Sequence, residues 1–543
     1  MNSASSPARR VLTVVMDGVG VSAEKFGNAV AAARTPHLAA LARDGLYTTV
    51  KAHGTWVGLP SDSDIGNSEV GHNALGAGRI FDQGAKLVQR AIDDGSMFTG
   101  ATWTEMIRQV CGAKSTLHFI GLLSDGNVHS HETHLHSMIR VAAKNGVRTV
   151  RVHTLLDGRD VAEGSSAVYI DRLEKVLSEV KASGCDARIA SGGGRMLVTM
   201  DRYEADWEMV SRGWNLHVHG IGQAWSSVQA AMKHGQSVSN PSDQYFPAFV
   251  IVDDKGPIGK IKDHDGVVFF NFRGDRAVEI SRAFTEKSLD KFDRGNVPNV
   301  FFAGMMEYDG DLKIPPRHLV APPAIENTMG EILAKRGVRQ FACSETQKYG
   351  HVTYFWNGNR SGKFDPKLET WVEIPSDNLS FDLKPWMKAW EICETTIEHM
   401  KRGAFDFGRI NFANGDMVGH TGNFEAAVIA VSTVDLMIKR LRTAAEETNT
   451  ILVVTADHGN ADEMFDAKAK DFPNWEDLPL NKRPRPKTSH TLNPVPFYVY
   501  DPLAPKARAL KAGDNFGLAN FAATALELMG QTAVQGFEPS LLV

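Results

Sequence analysis

The segment Ile451-Leu-Val-Val-Thr-Ala-Asp457-His458-Gly-Asn-Ala-Asp462-Glu463 constrains the chain more than any other. Its first residues are apolar or β-favouring without alternation, the pattern of a strand buried on both faces of a parallel sheet. The strand runs directly into two metal-ligand residue types and then a Gly-Asn turn. In open α/β sheets, ligands collect beyond the carboxyl ends of such strands. A parallel sheet with a site on that edge is therefore the first expectation. One Asp-His pair is weak evidence by itself, since either residue also serves in a capped turn.

Other segments end in the same way. Val11–Met16 (VLTVVM) reads as a buried strand followed by Asp17-Gly-Val-Gly20. Thr35, Pro36 and Gly45 supply a cap, a first-turn proline and a stop for a helix. Residues 60–72 are polar and turn-rich, and read as a loop entering a helix near Ser68, whose free N–H groups favour an anion. From about residue 83 a fresh α/β series begins, with strands expected at 117–122, 149–154, 187–190 and 267–271. Helices are expected at about 132–145 and 165–182. The strand ends lead to His129, Asp157-Gly-Arg159-Asp160, Ser191-Gly-Gly-Gly-Arg195 and Arg273-Gly-Asp-Arg276. Alternation of strand and helix implies a mostly parallel sheet, and these ends imply a positively lined edge.

Four prolines in residues 313–328 mark a connection between domains. Beyond it, strands are expected at 340–343 and 410–413, the second leading to Asp416 and His420. A helix over 423–444 and a strand at Val495–Tyr500, preceded by His490, complete the pattern. Residues 465–489 form a long polar loop that either covers the site or decorates the surface; its polarity favours the surface.

The 543 residues leave room for two or more domains, each with a full core. A formal charge of −5 gives no electrostatic footprint for nucleic acid. No apolar run approaches the roughly 18 residues of a membrane span, and the first ten residues lack a secretory core. Cys111, Cys185, Cys343 and Cys393 form no CxxC pair and read as free thiols of a reducing compartment. The expectation is a cytoplasmic protein without a nucleic-acid or membrane partner.

Outside the fresh series stand Asp17, Ser68, Asp416 with His420, Asp457 with His458, and His490. Carboxylate plus imidazole suits Mn²⁺, Zn²⁺, Co²⁺ or Fe²⁺. Seven groups exceed one tetrahedral ion and suit two, which clamp the attacking and leaving oxygens of a phosphoryl transfer. Metal coordination also activates a serine hydroxyl. Singly, each residue has a structural reading as a turn, a helix cap or a hydrogen-bonded surface group.

The chain also carries longer motifs. They are Asp17-Gly-Val-Gly20, Gly66-Asn-Ser68-Glu-Val-Gly-His72, Asp416-Met-Val-Gly-His420, Thr455-Ala-Asp457-His458-Gly-Asn-Ala-Asp-Glu463 and His490-Thr-Leu-Asn-Pro-Val-Pro496. Ser124-Asp-Gly-Asn-Val-His129, Leu156-Asp-Gly-Arg159-Asp160, Asn271-Phe-Arg273-Gly-Asp-Arg276 and Glu345-Thr-Gln-Lys348-Tyr accompany them. Together they resemble the cofactor-independent phosphoglycerate mutases of the alkaline phosphatase superfamily, from about residue 11 to the end.

That resemblance implies an α/β protein of two domains. Residues 1–82 and 318–543 would form an alkaline-phosphatase-like core, and residues 83–317 an inserted transferase domain that binds substrate. It implies a monomer that interconverts 3- and 2-phosphoglycerate in glycolysis and gluconeogenesis, through a phosphoserine and without bisphosphoglycerate. Two divalent ions, manganese with cobalt as the alternative, would be held by Asp416, His420 and His490, and by Asp17, Ser68, Asp457 and His458. Ser68 would take the phosphoryl group, Asp160 would exchange protons, and Lys348 would spread charge. Substrate contacts implied are His129, Arg159, Asp160, Arg195, Arg202, Arg273, Arg276 and Lys348. The run Ser191-Gly-Gly-Gly-Arg195 departs from the family's shorter Ser-Gly-Arg and loosens the match of Arg195. A plain metal-dependent phosphatase would keep Ser68 but lack the arginine-bearing insert. A non-catalytic binder would lack Ser68 or break the metal set.

Overall fold

The computed structural model describes residues 9–543 except 60, 203, 239–241, 310–311, 322–324, 480–481 and 512–514. Most of the N-terminal segment read for a signal, and part of the proline-rich connection, lie outside the described residues. The chain forms two compact units: Met1–Gln83 with Ala324–Val543, and Gly84–Pro323. In chain order the strands are β1 (Val11–Met16) and β2 (Leu46–Val50), then β3 (Leu117–Leu123), β4 (Thr149–Leu156) and β5 (Asp186–Gly194). Next come β6 (Gln223–Trp225), β7 (Phe249–Asp253), β8 (Gly256–Pro257), β9 (Gly266–Phe269) and β10 (Phe301–Gly304). The last are β11 (Gln340–Glu345), β12 (Glu369–Ile374), β13 (Phe407–Phe412), β14 (Ile451–Thr455) and β15 (Val495–Tyr500).

The first unit is built on a sheet of order β12-β11-β13-β1-β14-β15-β2. The five strands from β12 to β14 are parallel, while β15 and β2 close one edge antiparallel. Every residue of β1, β13 and β14 is buried, as central strands covered on both faces must be, even though β13 carries Arg409 and Asn411 among its apolar residues. The 25-residue helix Phe424–Thr448 covers one face through Ala427, Val431, Val434, Ile438, Leu441 and Ala445, spaced three and four apart. Its start is fixed by Asn423, whose side chain accepts from the Ala426 N–H.

The second unit has its own sheet, of order β10-β9-β3-β4-β5-β7-β6 with β8 paired to β7. Strands β10 to β5 are parallel, so the expectation of a mostly parallel α/β arrangement holds here too. One boundary differs from the sequence reading. The strand expected at 187–190 continues through Ser191-Gly-Gly-Gly, because glycine is wanted for close packing rather than for a turn. A Cβ on Gly194 would lie 2.3 Å from the Gln244 carbonyl oxygen. The register slips between Ile189 and Ser191, leaving Ala190 as an extra residue opposite β4. The elements β2, β6, β7, β8, β10 and β12 are short or lack a clear pattern, and sequence periodicity did not reveal them.

Candidate active site

In the first unit the carboxyl ends of three adjacent strands line up. Met16 of β1 pairs with Phe412 of β13, and Val15 pairs with Thr455 of β14. Asp17, Asp416 and Asp457 follow those ends and are all buried. Gly18 makes the crowding possible: its φ is +74°, and a Cβ there would lie 2.5 Å from the Asp416 nitrogen. Ser68 is the first residue of the helix Ser68–Ala77, and Asn67, not Ser68, is its cap, accepting from the Glu69 and Val70 N–H groups. The Ser68 side chain is thereby free to face the aspartates.

Ser68 Oγ lies 2.9 Å from His458 Nε2 and 3.4 Å from Asp17 Oδ1. Lys348, carried by the short helix after β11, places Nζ 2.5 Å from Ser68 Oγ and 2.7 Å from both Asp17 Oδ1 and Asp416 Oδ2. His420 Nε2 and His490 Nε2 each lie 3.0 Å from Asp416 Oδ1 and 3.0 Å from one another. Two clusters have donor atoms all within 4.8 Å among the described residues: Asp416, His458 and His490, and Asp17, Asp457 and His458. The ligand-type residues expected from the sequence lie near one another, but the grouping differs: His458 belongs to both clusters and joins Asp416 and His490, which His420 also meets.

The donor chemistry fits cations. The Nδ1 atoms of His420, His458 and His490 face the backbone carbonyls of Thr488, Gly459 and Gly66 at 2.7, 3.2 and 3.0 Å. A carbonyl can only accept, so each ring carries its proton on Nδ1 and turns an Nε2 lone pair inward. Two such lone pairs 3.0 Å apart beside a carboxylate repel unless a positive charge lies among them. Burial, reinforced by the neighbouring Asp457 carboxylate, pushes Asp17 up to about 7.

Sequence reasoning missed several supporting residues. His72 Nδ1 lies 2.8 Å from the Ser68 carbonyl and 3.3 Å from Asp457 Oδ2. Asn411 donates to Asp17 Oδ2 at 2.7 Å. Asp462 accepts from Gly20 N, Thr491 Oγ1 and Asn493 Nδ2 at 3.1, 2.8 and 2.7 Å, tying together the segments that carry Asp17, His458 and His490. His72 and Asp462 lie inside the quoted motifs, but only three-dimensional contacts reveal their tasks. The loop 465–489 is more than decoration. It buries Trp475 among Phe26, Phe424 and Phe465, and its Thr488 carbonyl holds His420.

In the second unit His129, Arg159, Asp160, Arg195, Arg202, Arg273 and Arg276 are all buried. Arg195 is wholly buried and donates through Nη1 to Asp157 Oδ1 at 2.6 Å and to Asp160. Asp157 is itself fixed by the Arg159 and Asp160 N–H groups and the Ser124 hydroxyl. The Asp275 carboxylate is ion-paired with Arg202 and Arg273, whose Nε atoms lie 3.1 and 3.0 Å from it, and His129 Nδ1 lies 3.5 Å away. Asp157 and Asp275, overlooked between their basic neighbours in the motifs, are what orient the arginines. Burial, followed by the charges of Arg159, Arg202 and Arg195, drives Arg276 well below its ordinary range. Five guanidinium groups around Asp157, Asp160 and Asp275 form a nest with excess positive charge, which favours a multiply charged anion.

The chain matches the sequence profile of the metalloenzyme superfamily over residues 9–533. It is 53% identical over 539 residues to a probable 2,3-bisphosphoglycerate-independent phosphoglycerate mutase of Leptospira interrogans, covering 98% of this chain and 97% of that one. It is 49% identical over 544 residues to the 2,3-bisphosphoglycerate-independent phosphoglycerate mutase of Trypanosoma brucei, covering 99% and 98%. A crystal structure of Leishmania mexicana phosphoglycerate mutase at low cobalt concentration superposes with a TM-score of 0.96 at 48% identity, covering 100% of this chain and 99% of that one. No helix among the described residues is long and apolar enough to cross a membrane. The chain therefore belongs to the 2,3-bisphosphoglycerate-independent phosphoglycerate mutases of the metalloenzyme superfamily, which interconvert 3- and 2-phosphoglycerate.

Proposed function

We propose that the interconversion passes through a phosphoserine at Ser68. The observation that carries this reading is the buried Ser68 hydroxyl, within hydrogen-bond distance of both His458 and Lys348. Two divalent ions, manganese in preference to cobalt, would be held by Asp416, His420 and His490, and by Asp17, Ser68, Asp457 and His458. When bound they supply Lewis acidity at the phosphoryl oxygens and lower the pKa of the serine hydroxyl.

Ser68 Oγ, as the alkoxide, attacks the phosphorus of 3-phosphoglycerate, and the bond from phosphorus to the glycerate 3-oxygen breaks. Asp160 gives that oxygen a proton. Lys348 spreads the charge gathering on the equatorial phosphoryl oxygens, the main service a protein can offer this step. Glycerate then presents its 2-hydroxyl, Asp160 takes that proton, and the 2-oxygen attacks phospho-Ser68 to release the serine. Arg159, Arg195, Arg202, Arg273 and Arg276, with His129, hold the carboxylate and phosphate as planar forks. Retaining glycerate and excluding water keeps the phosphoryl group from hydrolysis.

The reading is tested by incubating metal-loaded protein with 3-phosphoglycerate, without bisphosphoglycerate, and following 2-phosphoglycerate and free phosphate. Isomer without phosphate is expected. Phosphate alone would indicate a phosphatase, and neither product a binding protein. Ser68→Ala is expected to retain metal and lose more than about 10³-fold in turnover; wild-type turnover would overturn the assigned nucleophile.

A further inference from the structure

A continuous chain of buried hydrogen bonds crosses the second unit and ends beside the arginine nest. His118 Nε2 lies 3.2 Å from Asp265 Oδ2, and His118 Nδ1 lies 3.0 Å from His153 Nε2. His153 Nδ1 lies 2.7 Å from Ser191 Oγ, Ser191 Oγ 3.1 Å from His217 Nδ1, and His217 Nε2 2.9 Å from Thr199 Oγ1. Burial holds all three imidazoles below their ordinary range, so each ring is neutral and has one donor and one acceptor. Asp265 Oδ2 already accepts from Lys262 N, and as a carboxylate it makes His118 the donor. Every later proton is then placed in turn: His153 donates to His118, Ser191 to His153, His217 to Ser191, and Thr199 to His217.

The last link falls on a strained residue. Thr199 has a φ of +72°, a conformation that a β-branched side chain adopts only at a cost. The Met200 N–H bonds the Val198 carbonyl at 2.8 Å, closing a tight γ-turn around Thr199. The space is kept open by Gly213, where a Cβ would lie 2.2 Å from Thr199 Oγ1. Directly after the turn, the Met200 carbonyl accepts from Arg276 Nη1 at 2.8 Å, and Arg202 follows with Nε 3.1 Å from Asp275. The turn therefore sets the position of a carbonyl and a guanidinium in the nest.

We propose that His217 is a positioning residue for substrate binding: its bond to Thr199 holds the strained turn that aligns Arg276 and Arg202. This rests on the reading that those arginines bind phosphoglycerate. Neither His217 nor Thr199 needs to touch substrate in this role. The signature is a change in KM for 3-phosphoglycerate with little change in kcat.

The test uses full-length, metal-loaded enzyme. Thr199→Val, which removes only the hydroxyl, is expected to raise KM about tenfold and leave kcat within about twofold, while Thr199→Ser keeps the wild-type KM. His217→Leu is expected to raise KM similarly. In a Thr199→Gly background, where the turn carries no side-chain strain, adding His217→Leu is expected to change KM little further. Wild-type KM in Thr199→Val, or an undiminished effect of His217→Leu in the glycine background, would overturn the proposal. If Thr199→Val folds poorly, the glycine pair decides alone. Arg276→Lys separates the two readings. An unchanged KM in that variant would remove the substrate reading, whereas a raised KM beside an unaffected Thr199→Val would remove only the clamp.

Discussion

Lys348 Nζ lies 2.5 Å from the Ser68 hydroxyl oxygen, and the same ammonium lies 2.7 Å from a carboxylate oxygen of Asp17 and of Asp416. All four side chains are buried. One fixed cation therefore offsets acidic groups brought together by the strand ends, and in the proposed mechanism it would also face the negative charge developing on a phosphoryl group at Ser68.

Lys348→Met keeps most of the length of the side chain and removes the charge. Turnover is expected to fall by about 10²–10³-fold. Removing one partner of a buried ion pair costs about 3–5 kcal/mol, and this loss is expected to be larger in chelator than with metal present. Denaturation with and without chelator checks it; equal losses in both conditions would count against a shared charge-balancing task.

Asp275 tethers Arg202 and Arg273 through their Nε atoms. Asp275→Asn leaves the shape but removes the negative charge that two buried guanidinium groups face, and breaking a buried ion pair costs about 3–5 kcal/mol. KM for phosphoglycerate is expected to rise about tenfold or more, with some free phosphate released per turnover as glycerate escapes. Product analysis by chromatography reads both quantities, and a wild-type KM would show that the tether is dispensable.

Glu279 is buried, and desolvation followed by the nearby Asp201 carboxylate raises it from 4.5 to about 8. The folded state therefore keeps a proton that the unfolded chain releases. The contribution of this group to stability is full below about pH 4.5 and is lost as pH rises towards 8. Glu279→Gln keeps the oxygen that accepts from the Glu204 N–H and removes the titration. Relative to wild type it is expected to gain up to about 5 kcal/mol at pH 8 and little at pH 5. Denaturant titrations at the two pH values measure the difference, and a gain independent of pH would contradict the assignment.

Asp462 accepts from three donors on two chain segments, Gly20 and Thr491 with Asn493, around the proposed metal-ligand set. Asp462→Ala loosens Gly20, Thr491 and Asn493 together without removing a ligand. Metal affinity is expected to drop by about 10–100-fold, as it does when outer supports of a metal site are lost. Calorimetric titration of metal-free protein measures this directly, and unaltered affinity would mean that the backbone alone holds the ligands in place.

The sequence by itself determined the buried strands Val11–Met16, Ile451–Thr455 and Val495–Tyr500, because continuous apolar runs admit few other structures. It also determined the residue types available for chemistry, since Asp17, Asp457 and His458 follow strand ends and Ser68 stands where a polar loop enters a helix. It could not determine the course of Ser191-Gly-Gly-Gly-Arg195. Whether glycines make a turn or a tightly packed strand depends on what lies beside them, here the Gln244 carbonyl.

Only the tertiary structure decided which acid orients which base. Asp157 fixes Arg195, Asp275 pairs with Arg202, and Asn411 donates to Asp17, none of which follows from spacing along the chain. The physical reason is range. Strand and helix patterns are written in neighbouring residues, whereas charge pairing is set by distance in space, and Lys348 meets Asp17 across 331 positions of chain. Sheet order brings such groups together, and burial then makes their pairing obligatory.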